Sequence, residues 1–131
     1  MTQPAPLRVL YVEDDRVSAL LFGQALLAEP CIDLRIAEDG AEALLLAEAW
    51  PPEVLVLDAH LPDTDGHALL QALRALPGLA QVPAFMCSAD GEPEDLQRAQ
   101  RSGFIGYWVK PLAPDQARTD LLAILDDPAG R

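Results

Sequence analysis

The chain has 131 residues, half of them apolar, with 12 prolines and 8 glycines, which suits one packed domain and argues against disorder. Twenty-one acidic residues against nine basic ones leave a net charge of −12, a surface that repels nucleic-acid phosphates and anionic membranes. No apolar run approaches the roughly 20 residues that span a bilayer, and MTQPAPLR lacks a basic stretch leading into an apolar core, so no signal peptide is expected and the default location is cytoplasmic.

Met1 to Pro6 reads as a polar lead-in. Leu7 to Val12 (LRVLYV) is a predicted strand that runs into the acidic cluster Glu13-Asp14-Asp15. Helix one is predicted from about Arg16 to Ala28, with Val17, Leu20, Leu21, Ala25 and Ala28 at helical spacing as its core face. Glu29-Pro30 stops it, because proline disfavours helix in the residue before it. Cys31 to Ala37 is the second strand. Asp39, with Glu42 three residues on, resembles a capping box and opens a helix to about Trp50, which Pro51-Pro52 ends.

The third strand, Val54 to Leu57, is continuously apolar and ends at Asp58, as a strand covered on both faces would. Pro-Asp-Thr-Asp-Gly follows, then a helix from Thr64 to Leu76 with Leu69, Leu73 and Leu76 on one face and Pro77-Gly78 as the stop. Val82 to Cys87 is strand four, ending at Ser88-Ala89-Asp90. Helix four runs from about Pro93 to Arg101, with acidic residues in its first turn where the helix dipole favours them. Phe104 to Val109 contains strand five and leads into Lys110-Pro111. Pro114 opens helix five, whose core face is Ala117, Leu121, Ile124 and Leu125. Strands alternating with helices predict a parallel α/β sheet covered on both faces, in a single domain over 1–131 with its core at about 7–125.

In an open sheet of this kind ligands bind at the carboxyl ends of the strands. Those ends carry Glu13 and Asp14, Asp58, Ser88 and Lys110, the only lysine in the chain. Each alone has an ordinary explanation as a cap, a turn residue or a surface cation; four at one edge point to a site. Crowded carboxylates repel one another. A hard divalent cation relieves that, and oxygen ligands select Mg²⁺, Mn²⁺ or Ca²⁺ over zinc. Lys110 suits phosphoryl oxygens, the Ser88 hydroxyl can donate to them, and an aspartate carboxylate can accept a phosphoryl group.

YVEDD, VLDAHLPDTDG, CSAD and YWVKP resemble, in order and spacing, the response-regulator receiver domains of two-component signalling, over about Leu7 to Leu125. The resemblance implies a flavodoxin-like (βα)5 fold, doubly wound, with parallel strand order 2-1-3-4-5. It implies Asp58 as phosphoacceptor, and Mg²⁺ (Mn²⁺ as a substitute) bound by Asp14, Asp58 and the backbone carbonyl of His60, with Glu13 acting through water. It pairs Lys110 with Asp58 and then with the phosphoryl group, and makes the Lys110-Pro111 peptide cis. Ser88 and Tyr107 match the switch pair, which re-presents the helix four, strand five, helix five face; His60 and Asp90 match positions that tune phosphoryl lifetime. Departures are mild: Glu13 stands where Asp is commoner, and Leu61 where methionine is frequent.

The partners implied are a histidine kinase or histidine phosphotransfer protein and a downstream output protein, with no direct nucleic-acid or membrane contact. Trp108, on the opposite strand face from Tyr107, is expected in the core and His67 at the surface. With that strand order, three spacings of about 4.8 Å separate Cys31 from Cys87, roughly 14 Å in all. That is too far for a disulfide, and both are expected as small buried residues. A Mg²⁺-dependent aspartyl phosphatase fits less well, since its nucleophile follows the first strand with a second Asp two residues on, where this chain has His60. A flavin carrier lacks its phosphate loop, and a docking-only pseudo-receiver would not need all five site positions. The chain is read as a phosphoacceptor, not an enzyme. VEDD and the GF…KPL wording resemble receivers attached to hybrid histidine kinases.

Overall fold

The computed structural model describes residues 5–126; most of the lead-in and the extreme C-terminus lie outside them. Five parallel strands, β1 (Leu7–Val12), β2 (Ile32–Ala37), β3 (Val54–Asp58), β4 (Ala84–Ser88) and β5 (Gly106–Val109), form one sheet in the order β2-β1-β3-β4-β5. Helices α1 (Arg16–Leu27), α2 (Gly40–Ala49), α3 (Gly66–Arg74), α4 (Pro93–Ser102) and α5 (Pro114–Leu125) alternate with them. The fold is the flavodoxin-like one expected. β3 and β4 are buried along their whole length, as parallel strands flanked by helices on both faces must be.

Strand alternation divides the core in two. Leu7, Val9, Tyr11, Val54, Val56, Phe85, Cys87 and Trp108 face α1 and α5. Leu10, Val12, Leu55, Leu57, Ala84 and Met86 face α2, α3 and α4. Trp108 is in the core as expected; it stacks on Phe85 with centroids 4.6 Å apart, and its indole N–H donates to Asp120 at 2.8 Å.

Register turns the strand ends into one edge. Val12 pairs with Leu57, so Glu13 follows beside Asp58. Asp58 pairs with Cys87, and Ser88 with Val109, so Ser88 and Lys110 each fall one step further along. The Lys110 amide then donates to the Ser88 carbonyl at 2.8 Å. Lys110-Pro111 is cis.

Several expectations change. Val17, Leu20 and Leu21 are 59–66% exposed, Ala28 is exposed and Ala25 half-buried. The face of α1 that meets the sheet is Ala19, Phe22, Gly23 and Leu26. This helix is apolar nearly all round, so spacing alone yields two stripes. Close approach decides between them: a Cβ on Gly23 would sit 3.1 Å from Ile36 Cδ1, and only the stripe with small residues packs that tightly. Ala117, Leu121 and Ile124 of α5 are buried as expected, with Leu125 packed beside them.

The capping box expected at α2 is half present. Asp39 accepts from the Glu42 amide at 2.8 Å, but the Glu42 carboxylate takes the Glu38 amide, one residue too early. α3 begins at Gly66, not Thr64, because Asp65 is the cap and accepts from the Ala68 amide; Leu70 is buried with Leu69 and Leu73, and Leu76 only in part. β4 starts at Ala84 rather than Val82: Pro83 has no N–H for the ladder, although its carbonyl accepts from Leu55. Phe104 precedes β5 and is buried against α3 and α4. Cys31 lies just before β2 and is exposed, while Cys87 is buried; both thiols are free. His67 is half-buried rather than on the surface. Its Nδ1 is 2.8 Å from Ser102 Oγ, its ring meets Phe104 edge-on, and burial lowers its pKa.

The packing of α1 is testable by truncation. Leu26→Ala empties a fully buried position and is expected to cost about 2–5 kcal/mol. Leu20→Ala is expected to stay within about 0.5 kcal/mol of the parent. Urea unfolding of the two variants separates this arrangement from the reverse one.

Candidate functional site

The edge at the ends of β1, β3 and β5 gathers three carboxylates around one ammonium. Lys110 Nζ lies 2.8 Å from Glu13 Oε1 and 2.8 Å from Asp58 Oδ2. Glu13 and Asp58 are buried, Asp14 is exposed, and one oxygen from each of the three can lie within 4.8 Å of the others. The His60 amide donates to Asp58 Oδ1 at 3.2 Å, so Asp58 has a donor on each oxygen.

The electrostatics follow from burial and counting. Burial raises Glu13, and its interaction with Asp58 raises it further; Lys110 opposes both, and the net value is about 7. Burial would raise Asp58 as well, but Glu13, Lys110 and the His60 amide outweigh it and hold Asp58 below the usual carboxylate range. Burial alone would lower Lys110, yet the two carboxylates keep it above its ordinary value. At neutral pH Asp58 is therefore ionised and Lys110 protonated, with Glu13 near its midpoint.

A divalent cation fits this donor set. Among the described residues Glu13 Oε2 is buried with no hydrogen-bond partner, an expensive state for a carboxylate oxygen. Three oxygen donors against a single lysine leave the cluster anionic. Oxygen ligands of this kind suit a hard cation such as Mg²⁺, Mn²⁺ or Ca²⁺.

Ser88 and Tyr107 lie on the other side of the sheet edge. They share strand parity with Met86 and the α2–α4 layer, whereas Glu13, Asp58 and Lys110 share it with Tyr11, Val56 and Trp108. Ser88 is buried, and its Oγ accepts the Asp90 amide at 3.0 Å. The half-buried Tyr107 interacts with the Ser88 side chain, and its hydroxyl donates to the Asp90 carbonyl. A cavity beside this pair is lined by Ala59, His60, His67, Met86, Ser88 and Tyr107. His60 Nε2 reaches Asp90 Oδ2 at 3.4 Å across its mouth, both side chains being largely exposed.

Glu13, Asp58 and Lys110 thus meet directly with Asp14 beside them, while Ser88, Tyr107, His60 and Asp90 form a second group along the same edge. Two participants were missed. Tyr11 is fully buried, and its hydroxyl donates to Glu13 Oε1 at 3.4 Å; its place two residues before Glu13 on one strand face was the available signal. Asp63 tethers the turn after Asp58 to the first amides of α2, a long-range contact that local spacing does not reveal.

Among the described residues no helix is long and apolar enough to cross a membrane. The sequence model of the response regulator receiver domain matches residues 9–122. The chain is 37% identical over 110 residues to an uncharacterized 14.6 kDa protein of Leptolyngbya boryana, covering 84% of this chain and 83% of that one. It is 31% identical over 108 residues to a probable transcriptional regulator, ycf29, of Porphyra purpurea, covering 82% of this chain but only 51% of that protein. The solved structure of the Vibrio cholerae chemotaxis protein CheY4 superposes with a TM-score of 0.84 at 26% identity, over 91% of this chain and 98% of that one. With that match and this fold, the chain belongs to the response-regulator receiver domains of two-component signalling.

Proposed function

We propose that the chain accepts a phosphoryl group on Asp58 from a phosphohistidine donor, with Mg²⁺ held at Asp14 and Asp58 and reached by Glu13 through water. The observation that carries this is the ammonium of Lys110 bonded at 2.8 Å to both Glu13 and Asp58 beside the third carboxylate. An ionised carboxylate at a strand end, flanked by fixed positive charge, is a competent phosphoryl acceptor. The new P–O bond forms at an Asp58 oxygen as the donor's P–N bond breaks, and the electron pair stays on the imidazole nitrogen, which takes a proton from solvent.

Asp14, Asp58 and the His60 carbonyl would hold the ion, with Glu13 one shell out. The cation supplies charge neutralisation for the phosphoryl oxygens and the carboxylates together. Lys110 is placed to leave Asp58 for a phosphoryl oxygen without losing Glu13, so a charge partner remains throughout. Hydrolysis returns the carboxylate, so the protein serves as its own catalyst for loading and unloading.

The readout is a two-state element. A dianion at Asp58 attracts the Ser88 hydroxyl as a donor and draws its Oγ away from the Asp90 amide it now accepts. Tyr107 can then turn from Asp90 into the cavity beside Ser88, changing the α4–β5–α5 face, where Leu96, Ile105 and Val109 are exposed. Mass action with an output protein on that face would stabilise the turned state. For the donor, the exposed stripe of α1 is the favoured landing surface. A groove lined by Leu21, Phe22, Pro111 and Leu112 runs from it to Glu13 and Lys110, and apolar surface rimmed by polar groups marks a protein contact.

Incubation with acetyl phosphate and Mg²⁺ is expected to add one phosphoryl mass per chain, and Asp58→Asn to abolish it. An unmodified wild-type protein that is folded and Mg²⁺-loaded would contradict the proposal.

A second expectation concerns pH. The folded chain keeps a proton on Glu13 up to about 7, well above the carboxylate's ordinary value of 4.5. Without a cation, that contribution to stability is full below the ordinary value and lost as pH rises through about 7. His67, held low by burial, acts in the opposite sense over part of this window, so the comparison is with Glu13→Gln. The melting temperature of wild type relative to Glu13→Gln is expected to fall as pH rises from about 4.5 to about 7 in chelator, and to recover in saturating Mg²⁺.

His60 and Asp90 meet each other, so their effects on phosphoryl lifetime are expected to be coupled. Hydrolysis of phospho-Asp58 should quicken in His60→Ala and in Asp90→Ala, and the double variant should quicken by less than the product of the two. Independent, multiplicative effects would show that the contact has no part in shielding the site.

A further inference from the structure

The turn that follows Asp58 carries a carboxylate outside the cluster around Lys110. Asp63 reaches back 23 residues and accepts the Gly40 amide on Oδ1 at 2.9 Å and the Ala41 amide on Oδ2 at 3.0 Å. These are the first amides of α2, which have no partner within the helix. The helix has its own cap as well, since Asp39 takes the Glu42 amide at 2.8 Å. The Gly40 amide holds Asp63 below the usual carboxylate range, so both its oxygens are acceptors at neutral pH. Helix and turn are in close contact: a Cβ on Gly40 would stand 2.7 Å from Thr64 Cγ2.

The same short turn forms one wall of the site. The Leu61 amide donates to the Thr64 carbonyl at 3.0 Å, the Gly66 amide to the Ala59 carbonyl at 3.0 Å, and His60 bridges Asp65. Residues 59–66 therefore behave as one closed unit. At one end the His60 amide meets Asp58 Oδ1; near the tip, Asp63 ties the unit to α2. Releasing the tip leaves the unit held by β3 and α3 alone, free to swing the His60 backbone relative to Asp58.

We infer that Asp63 is a positioning residue whose paired hydrogen bonds to the start of α2 hold the His60 backbone against Asp58 and thereby set the divalent-cation affinity of the carboxylate cluster. The inference rests on the metal-assisted phosphoacceptor reading of that cluster. A loop ligand displaced by a fraction of an ångström weakens a hard-cation site even when the carboxylates are intact, as removal of groups that orient ligands does elsewhere.

The test is a Mn²⁺ titration of the full chain, read as free ion by electron paramagnetic resonance, on wild type, Asp63→Ala, Asp63→Asn and Asp39→Ala. Asp63→Ala is expected to weaken Mn²⁺ binding about tenfold. Asp63→Asn, which keeps one acceptor oxygen, should fall between it and wild type. Asp39→Ala removes the other cap of α2 and should lower the melting temperature with little change in affinity. In acetyl phosphate labelling, Asp63→Ala should raise the half-saturating Mg²⁺ concentration and leave the rate at saturating Mg²⁺ unchanged.

Wild-type affinity in Asp63→Ala would overturn the inference, and so would an equal loss in Asp39→Ala, which would make Asp63 a helix cap only. If Asp63→Ala does not fold, wild-type affinity in Asp63→Asn overturns it instead. A wild-type chain that binds Mn²⁺ yet takes no phosphoryl group contradicts the phosphoacceptor reading, while the affinity comparison still decides the role of Asp63.

Discussion

One ammonium group balances the acidic edge of this sheet. Parallel register brings Glu13 beside Asp58 and sets Lys110 one step past Val109, so three strand ends deliver two buried carboxylates and their counter-ion to one point. Without Lys110 the pair could not stay doubly charged in so desolvated a place, and at least one carboxyl would hold a proton at neutral pH. With it, the pair is affordable only in part: Glu13 still rises to about 7 and keeps an unpartnered oxygen. The site is left short of positive charge, and this shortage is what a cation or a transferred phosphoryl–cation pair answers.

Chemistry and readout are separated by the pleat of the strands. Asp58, Glu13 and Lys110 share the parity of the α1 and α5 layer, while Ser88 and Tyr107 share that of the α2, α3 and α4 layer. On the proposed function, charge added at Asp58 would have to act across the sheet edge, through Ser88, to alter the other side. The hydrogen bonds that hold the second side, from the Asp90 amide to Ser88 and from Tyr107 to the Asp90 carbonyl, run through one exposed loop residue. A loop of this kind costs little to rearrange compared with the buried strands that flank it. On the proposed function, that difference would let a local charge move a surface without disturbing the core.

The sheet was legible because its signals are local and redundant. Apolar runs bounded by turn residues gave the strands, and four of them ended on or ran straight into a polar residue, Glu13, Asp58, Ser88 or Lys110, that the register then collected. The misreadings lie where several local patterns were equivalent or where the decisive contact is distant. α1 offered two apolar stripes, and Gly23, which carries no side chain to count, marks the buried one. Cys31 looked like a core residue but falls one position before β2, where the chain is still exposed. His67 appeared polar and therefore external, yet α4 folds back to meet it through Ser102 and Phe104. Asp63 looked like any turn aspartate; its partners are on α2, across the fold.

The central claim is that the phosphoryl group lands on Asp58 and on no other carboxylate of the cluster. Reduction of the acetyl phosphate-treated protein with borohydride, which traps an acyl phosphate as the alcohol, followed by peptide mass mapping, tests it most directly. The account predicts a single reduced residue at position 58. Reduction at Glu13 or Asp14, or at no residue of a protein shown to be folded and Mg²⁺-bound, would contradict it.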